Sequence, residues 1–130
     1  SADLKHWSEH RVVLRTRPAF WDERKLGAGP PPLRTAAGWL TCYHGVDPHH
    51  AYRAGFALLA LKDPGVVLAR SLEPVLEPQQ PWEVMGRTPR VVFPSGMILR
   101  GDELLVYYGA ADTAVGVARG SLKEILASLR

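Results

Sequence analysis

Disulfides, long apolar runs and blocks of like charge are all missing from this chain. Cys42 is the only cysteine among 130 residues, so no internal cross-link can form. That usage fits a reducing compartment, and a cytoplasmic location is the expectation. The longest apolar run, residues 54–61, is far too short to cross a bilayer. The first residues are polar and carry no apolar signal segment, so no membrane partner is expected. Lys and Arg number 16 against 13 Asp and Glu, a net charge of +3. These basic residues are scattered from Lys5 to Arg130, which argues against nucleic-acid binding and leaves room for a few basic groups serving an anionic ligand. His49 and His50 are adjacent and therefore point apart, and no carboxylate or cysteine completes a set at metal-ligand spacing. No metal and no organic cofactor is expected. Cys42 has no evident base partner and reads as a packing residue rather than a nucleophile.

Glycine and proline are plentiful, at 12 and 11 residues, which favours a turn-rich β protein. Candidate strands cover residues 11–15, 39–46, 54–61, 66–71, 91–99, 103–110 and 114–120. In the second of these, Leu40, Cys42 and His44 share one face, and Thr41, Tyr43 and Gly45 the other. Gly101-Asp102 is a hairpin turn signal. Residues 72–89 form a connector with little periodicity. Leu122, Ile125, Leu126 and Leu129 recur at helical spacing behind Ser121, a suitable N-cap, and predict a short amphipathic helix over 121–130.

The chain also repeats itself. Residues 38–45 (Gly-Trp-Leu-Thr-Cys-Tyr-His-Gly) align with residues 102–109 (Asp-Glu-Leu-Leu-Val-Tyr-Tyr-Gly), a step of 64. Multi-strand repeats at such a step suggest the blades of a β-propeller. The expected fold is all-β: blade-like units at about 30–71 and 90–120, an extra strand before them, and the C-terminal helix. About two blades cannot close a ring, so open sheet edges are expected, and these invite pairing with another copy or with missing chain.

Five motifs then point to one family. Residues 1–7 (Ser-Ala-Asp-Leu-Lys-His-Trp) resemble a turn found in sugar-cleaving propellers. Residues 25–32 (Lys-Leu-Gly-Ala-Gly-Pro-Pro-Pro), 43–46 (Tyr-His-Gly-Val), 92–96 (Val-Phe-Pro-Ser-Gly) and 107–113 (Tyr-Tyr-Gly-Ala-Ala-Asp-Thr) follow in order. The chain resembles the C-terminal part of glycoside hydrolase family 130, the β-mannoside phosphorylases and β-mannosidases, whose fold is a five-bladed β-propeller. The resemblance implies cleavage of a β-mannoside with inversion, by phosphate in the phosphorylases or by water in the hydrolases. A phosphate dianion needs positive charge to hold it and no base to activate it; water needs a carboxylate base. Lys25 and His44 stand where the phosphorylases keep phosphate contacts, which favours phosphorolysis to mannose 1-phosphate, with inorganic phosphate as co-substrate. Tyr52 would add a hydrogen bond near the phosphate. Asp112 matches a mannose-binding position, and Phe93 would wall the acceptor sugar.

Plainer readings stand beside these. Lys25 is also a surface lysine before a tight turn, His44 a core histidine, and Asp112 a turn former. Trp21, Trp39 and Trp82 are candidates for sugar stacking, Trp39 being the one that reads as core. The family's general acid is an aspartate of its N-terminal half, and none of Asp3, Asp22, Asp47, Asp63 and Asp112 matches that motif. The expectation is therefore part of an enzyme, inactive alone. The alternatives are a β-mannosidase, or a non-catalytic sugar- or phosphate-binding fragment that associates through its edges.

Overall fold

The computed structural model describes residues 1–130. Its order is β1 (Lys25–Ala28), β2 (Leu33–Arg34), β3 (Trp39–Val46), β4 (Tyr52–Leu59), β5 (Val67–Arg70), α1 (Pro81–Val84), β6 (Val92–Arg100), β7 (Glu103–Ala110), β8 (Ala114–Ser121) and α2 (Leu122–Ser128). Two antiparallel sheets result. One runs β1-β3-β4-β5 with β2 also on β3; the other runs β6-β7-β8. The repeated segments hold equivalent places: β3 and β7 are each the second strand of their sheet.

Alternation along β3 sorts its residues as the pattern predicts. Leu40 and Cys42 join Ala54, Phe56, Leu104, Val106 and Leu129 in the core between the sheets, and Leu122, Ile125 and Leu126 of α2 pack against it. Burial pushes the Cys42 thiol up to about 12, which suits packing and not nucleophilic work. The other face of β3 holds Tyr43 against Trp21, with ring centroids 5.5 Å apart. Ser121 Oγ accepts from the Glu124 N–H and caps α2, which spans seven residues where ten were expected.

Three segments depart from the sequence reading. Residues 11–15 form no ladder: Arg11 turns to Asp63, and the Arg15 carbonyl accepts from Arg70 Nη1 at 2.8 Å. Lys25–Ala28, read as a glycine-rich turn, is a strand, because Leu26 and Ala28 can pair with Gly45 and Tyr43 on β3. The connector 72–89 contains α1, a single turn with Pro81 in its first turn and a capping box between Gln80 and Glu83.

The sheets meet at one end. The Tyr52 N–H donates to the Arg90 carbonyl at 2.9 Å, and Tyr52 bridges Val91 in parallel sense. β4 and β6 therefore start side by side. That end also holds the start of β1, the finish of β3 and the β7–β8 turn. A cavity of about 120 Å³ between the sheets lies elsewhere, lined by core residues together with Arg119, Gly120 and Ile125.

Candidate functional site

Topology brings all five sequence-predicted residues to this shared end. Lys25 opens β1, Tyr52 opens β4, Phe93 is the second residue of β6, Asp112 sits in the β7–β8 turn, and His44 lies near the finish of β3. Side-chain contacts unite three of them. The His44 ring lies 4.4 Å from Phe93 and 5.7 Å from Tyr52, centroid to centroid. Lys25 pairs with Val46, two residues beyond His44, so it shares the His44 face of the sheet.

The sequence makes room for the imidazole. Gly27 is the cross-strand partner of His44, and the ring lies over it: a Cβ at Gly27 would fall 2.1 Å from His44 Cε1. Only glycine leaves that space. The result is a histidine 5% exposed, floored by Gly27 and flanked by two aromatic rings. Its Nδ1 is buried without any hydrogen-bond partner. Buried polar atoms are rarely left so, because an unmet hydrogen bond costs about 1–3 kcal/mol. No protein group meets this one.

Charge completes the picture. Burial, and then the Lys25 ammonium, hold the His44 pKa below its ordinary value of 6.5, with the Ala28 backbone acting weakly the other way. At pH 7 a neutral imidazole thus stands on the same sheet face as a cation. An anion entering between them would favour the imidazolium and raise that pKa. Replacing Lys25 with Met removes a repulsion, so the His44 midpoint should move up. Ring-nitrogen NMR of the two proteins across pH 4–8 measures it; an unchanged or lowered midpoint would show that Lys25 does not face the imidazole.

Asp112 is at the same end but makes no side-chain hydrogen bond to the His44 cluster. It and Ala111 take left-handed backbone, with φ of 53° and 47°, and its Oδ2 accepts from the Thr88 hydroxyl at 2.5 Å. Trp21 is buried and donates through Nε1 to the Leu72 carbonyl. Trp39 opens β3, at the far end from the site, and Trp82 is on α1. No group of three His, Cys, Asp or Glu is close enough to hold a metal ion. No helix is long and apolar enough to cross a membrane.

Sequence reasoning missed four contributors. Arg24 donates to His50 Nε2, and Arg90 donates to the His49 carbonyl, so two guanidinium groups brace the β3–β4 turn. Glu83 is buried and accepts from the Gln79 and Gln80 N–H groups and from the Tyr108 hydroxyl, at 2.8, 2.9 and 2.5 Å. Burial alone would raise its pKa, but these bonds hold it below the usual range. Thr88 is the fourth.

Known proteins resemble this chain in sequence and fold. The profile described as beta-1,4-mannooligosaccharide phosphorylase, glycoside hydrolase family 130, matches residues 1–130. The 1,2-beta-oligomannan phosphorylase of Thermoanaerobacter sp. (strain X514) is 45% identical over 125 residues, which is 96% of this chain and 42% of the relative. The solved structure of beta-1,2-mannobiose phosphorylase from Listeria innocua, in complex with beta-1,2-mannobiose, superposes with a TM-score of 0.95 at 42% identity, covering 99% of this chain and 36% of that one. A structure from work on family members that are glycoside hydrolases targeting beta-1,2 mannosidic linkages in Candida mannan gives a TM-score of 0.78 at 30% identity, over 87% of this chain and 34% of that one. The chain thus spans well under half the length of these relatives. With a profile match along its full length and 45% identity to a relative over 96% of it, the chain belongs to glycoside hydrolase family 130.

Proposed function

We propose that this polypeptide is the phosphate- and mannose-binding portion of an inverting β-mannoside phosphorylase built as a five-bladed propeller, and that it works only with the remainder of the ring. The two sheets are successive blades, and the cytoplasm is its expected compartment. Inorganic phosphate sits between Lys25 and His44, with Tyr52 alongside. Mannose reaches Asp112, and Phe93 walls the acceptor. β-1,2-Linked mannosides are the favoured substrate class, because the relatives at 45% and 42% identity bear those names.

The observation that carries this reading is the buried, unpartnered His44 Nδ1 beside Lys25. An ammonium and an imidazole on one face of the sheet suit an oxyanion. They offer nothing to an attacking water, which needs a carboxylate base. The hydrolytic alternative draws on the family's mannan-targeting hydrolases, and no carboxylate adjoins His44 to support it here.

Titration of the 130-residue protein with phosphate, followed by amide and imidazole NMR, tests the site. Shifts should concentrate on Lys25, Gly27, His44 and Tyr52. His44→Ala, and Gly27→Ala through displacement of the ring, should each weaken binding by about tenfold or more. Shifts spread evenly over the surface arginines, unaffected by either substitution, would refute the assignment.

A further inference from the structure

The segment between the sheets is tied to the β7–β8 turn at every step. The Arg87 N–H donates to Thr113 Oγ1 at 3.1 Å, the Thr88 N–H to the Ala111 carbonyl at 3.1 Å, and the Thr88 hydroxyl to Asp112 Oδ2 at 2.5 Å. Thr113 Oγ1 in turn donates to the Ala111 carbonyl at 3.0 Å. Gly86 makes the approach feasible: a Cβ there would stand 2.5 Å from the Ala111 oxygen. Two residues further on, the Arg90 carbonyl takes the Tyr52 N–H, and the Val91 carbonyl takes the Ala111 N–H at 3.0 Å. One short run of chain therefore sets both the turn bearing Asp112 and the strand bearing Tyr52.

A carboxylate in an exposed turn has two free rotations and samples many orientations. One short hydroxyl bond to Oδ2 removes most of that freedom and leaves Oδ1 unengaged, to accept from a ligand hydroxyl. Ordering paid before binding is not charged to the ligand. The Thr88 side chain touches Asp112 and no other residue through a hydrogen bond, so its hydroxyl has little structural purpose beyond aiming that carboxylate.

We infer that Thr88 is a positioning residue for sugar recognition, its hydroxyl holding the Asp112 carboxylate in the orientation that receives hydroxyl groups of a mannosyl unit. This rests on the assignment of Asp112 to the sugar made above, and deepens it.

The test compares Thr88→Val, which keeps the shape and loses the donor, with Thr88→Ser, which keeps the donor and loses a methyl. Each is titrated by NMR with D-mannose and, separately, with inorganic phosphate, and each is melted. Thr88→Val should weaken mannose binding by about tenfold while phosphate binding stays within twofold; Thr88→Ser should restore mannose binding to within threefold of the parent. Unchanged mannose binding in Thr88→Val overturns the positioning role and leaves Asp112 as sugar ligand intact. Equal loss of mannose and phosphate, or failure of both variants to melt cooperatively, also overturns it by making Thr88 a structural residue. If the parent protein and Asp112→Asn give the same response to mannose, the sugar assignment falls, and the role of Thr88 with it.

Discussion

Replacement of Asp22 by Ala should remove about 3–5 kcal/mol of stability, the usual consequence of stripping one partner from a buried ion pair. Asp22 is fully buried. It accepts from Arg17 Nε at 3.0 Å and Nη2 at 2.7 Å, from Arg70 Nη2 at 2.6 Å, and from the Tyr43 hydroxyl at 3.2 Å. The two guanidinium groups are only 20% and 12% exposed, so without the carboxylate they would face each other with no counter-charge. Burial, opposed by Arg70 and Arg17 and aided by the Asp22 charge, pushes the Tyr43 hydroxyl up to about 12, so it donates a hydrogen bond throughout the physiological range but cannot supply the missing charge. A domain of this size is stable by roughly 5–15 kcal/mol in all, so the loss takes a large share of it. Thermal melting should show a fall of roughly 10–20 °C. The triple variant Asp22→Leu, Arg17→Met, Arg70→Met should recover most of that loss, because apolar packing of similar volume commonly replaces a buried ion cluster. An Asp22→Ala protein that melts within 2–3 °C of the parent would show that solvent reaches this cluster.

The cluster also illustrates what was readable beforehand. Its members lie far apart in the chain, and nothing in the spacing of Arg17, Asp22, Tyr43 and Arg70 announces a common burial. Strand content, the repeat, the hairpin at Gly101-Asp102 and the α2 stripe were legible because they rest on local periodicity and turn chemistry. β3 was read correctly to the residue, and the face carrying Leu40, Cys42 and His44 is the one that turns to the second sheet. β1 was missed because four residues containing a glycine show no period; its strand character comes from the ladder that β3 offers. Residues 11–15 erred the other way: Val12, Val13 and Leu14 give a short apolar, β-branched run, but no ladder forms there. At the site, Lys25 and His44 could be named from their motifs. Phe93 and Tyr52 were named too, but as acceptor and phosphate contacts; their packing on the His44 ring, the Gly27 floor and the Thr88 clamp were not legible, since each depends on register between strands or on a connector with no pattern of its own.

The 130-residue protein, given β-1,2-mannobiose and phosphate, should release no mannose 1-phosphate above an enzyme-free control. The reason lies in its carboxylates. Protonating a glycosidic oxygen requires an acid whose pKa has been raised toward neutrality, and loss of such an acid typically lowers the rate by about 10²–10⁴. In this chain the environments work in the other direction. The Asp63 carboxylate is held below the usual range by Arg11 and the Gly65 N–H, and that of Asp3 by the His6 and Lys5 backbone with the His6 ring. Burial alone would raise Asp47, but Arg53 and the Ala51 and His49 N–H groups keep it low. Asp102 is lowered by Ser121 and the Lys123 N–H. Arginines and backbone amides stabilise the charged form, which is the state a proton donor must not be in. Phosphate bound at Lys25 and His44 would then have a nucleophile's position with no partner to release the leaving group. On the function proposed above, the proton comes from a part of the ring outside residues 1–130. Supplying the N-terminal portion of the Listeria innocua relative in trans should restore release if the sheet edges pair. Mannose 1-phosphate formed by the 130-residue protein alone would instead place the acid among these carboxylates and overturn the division of labour proposed here.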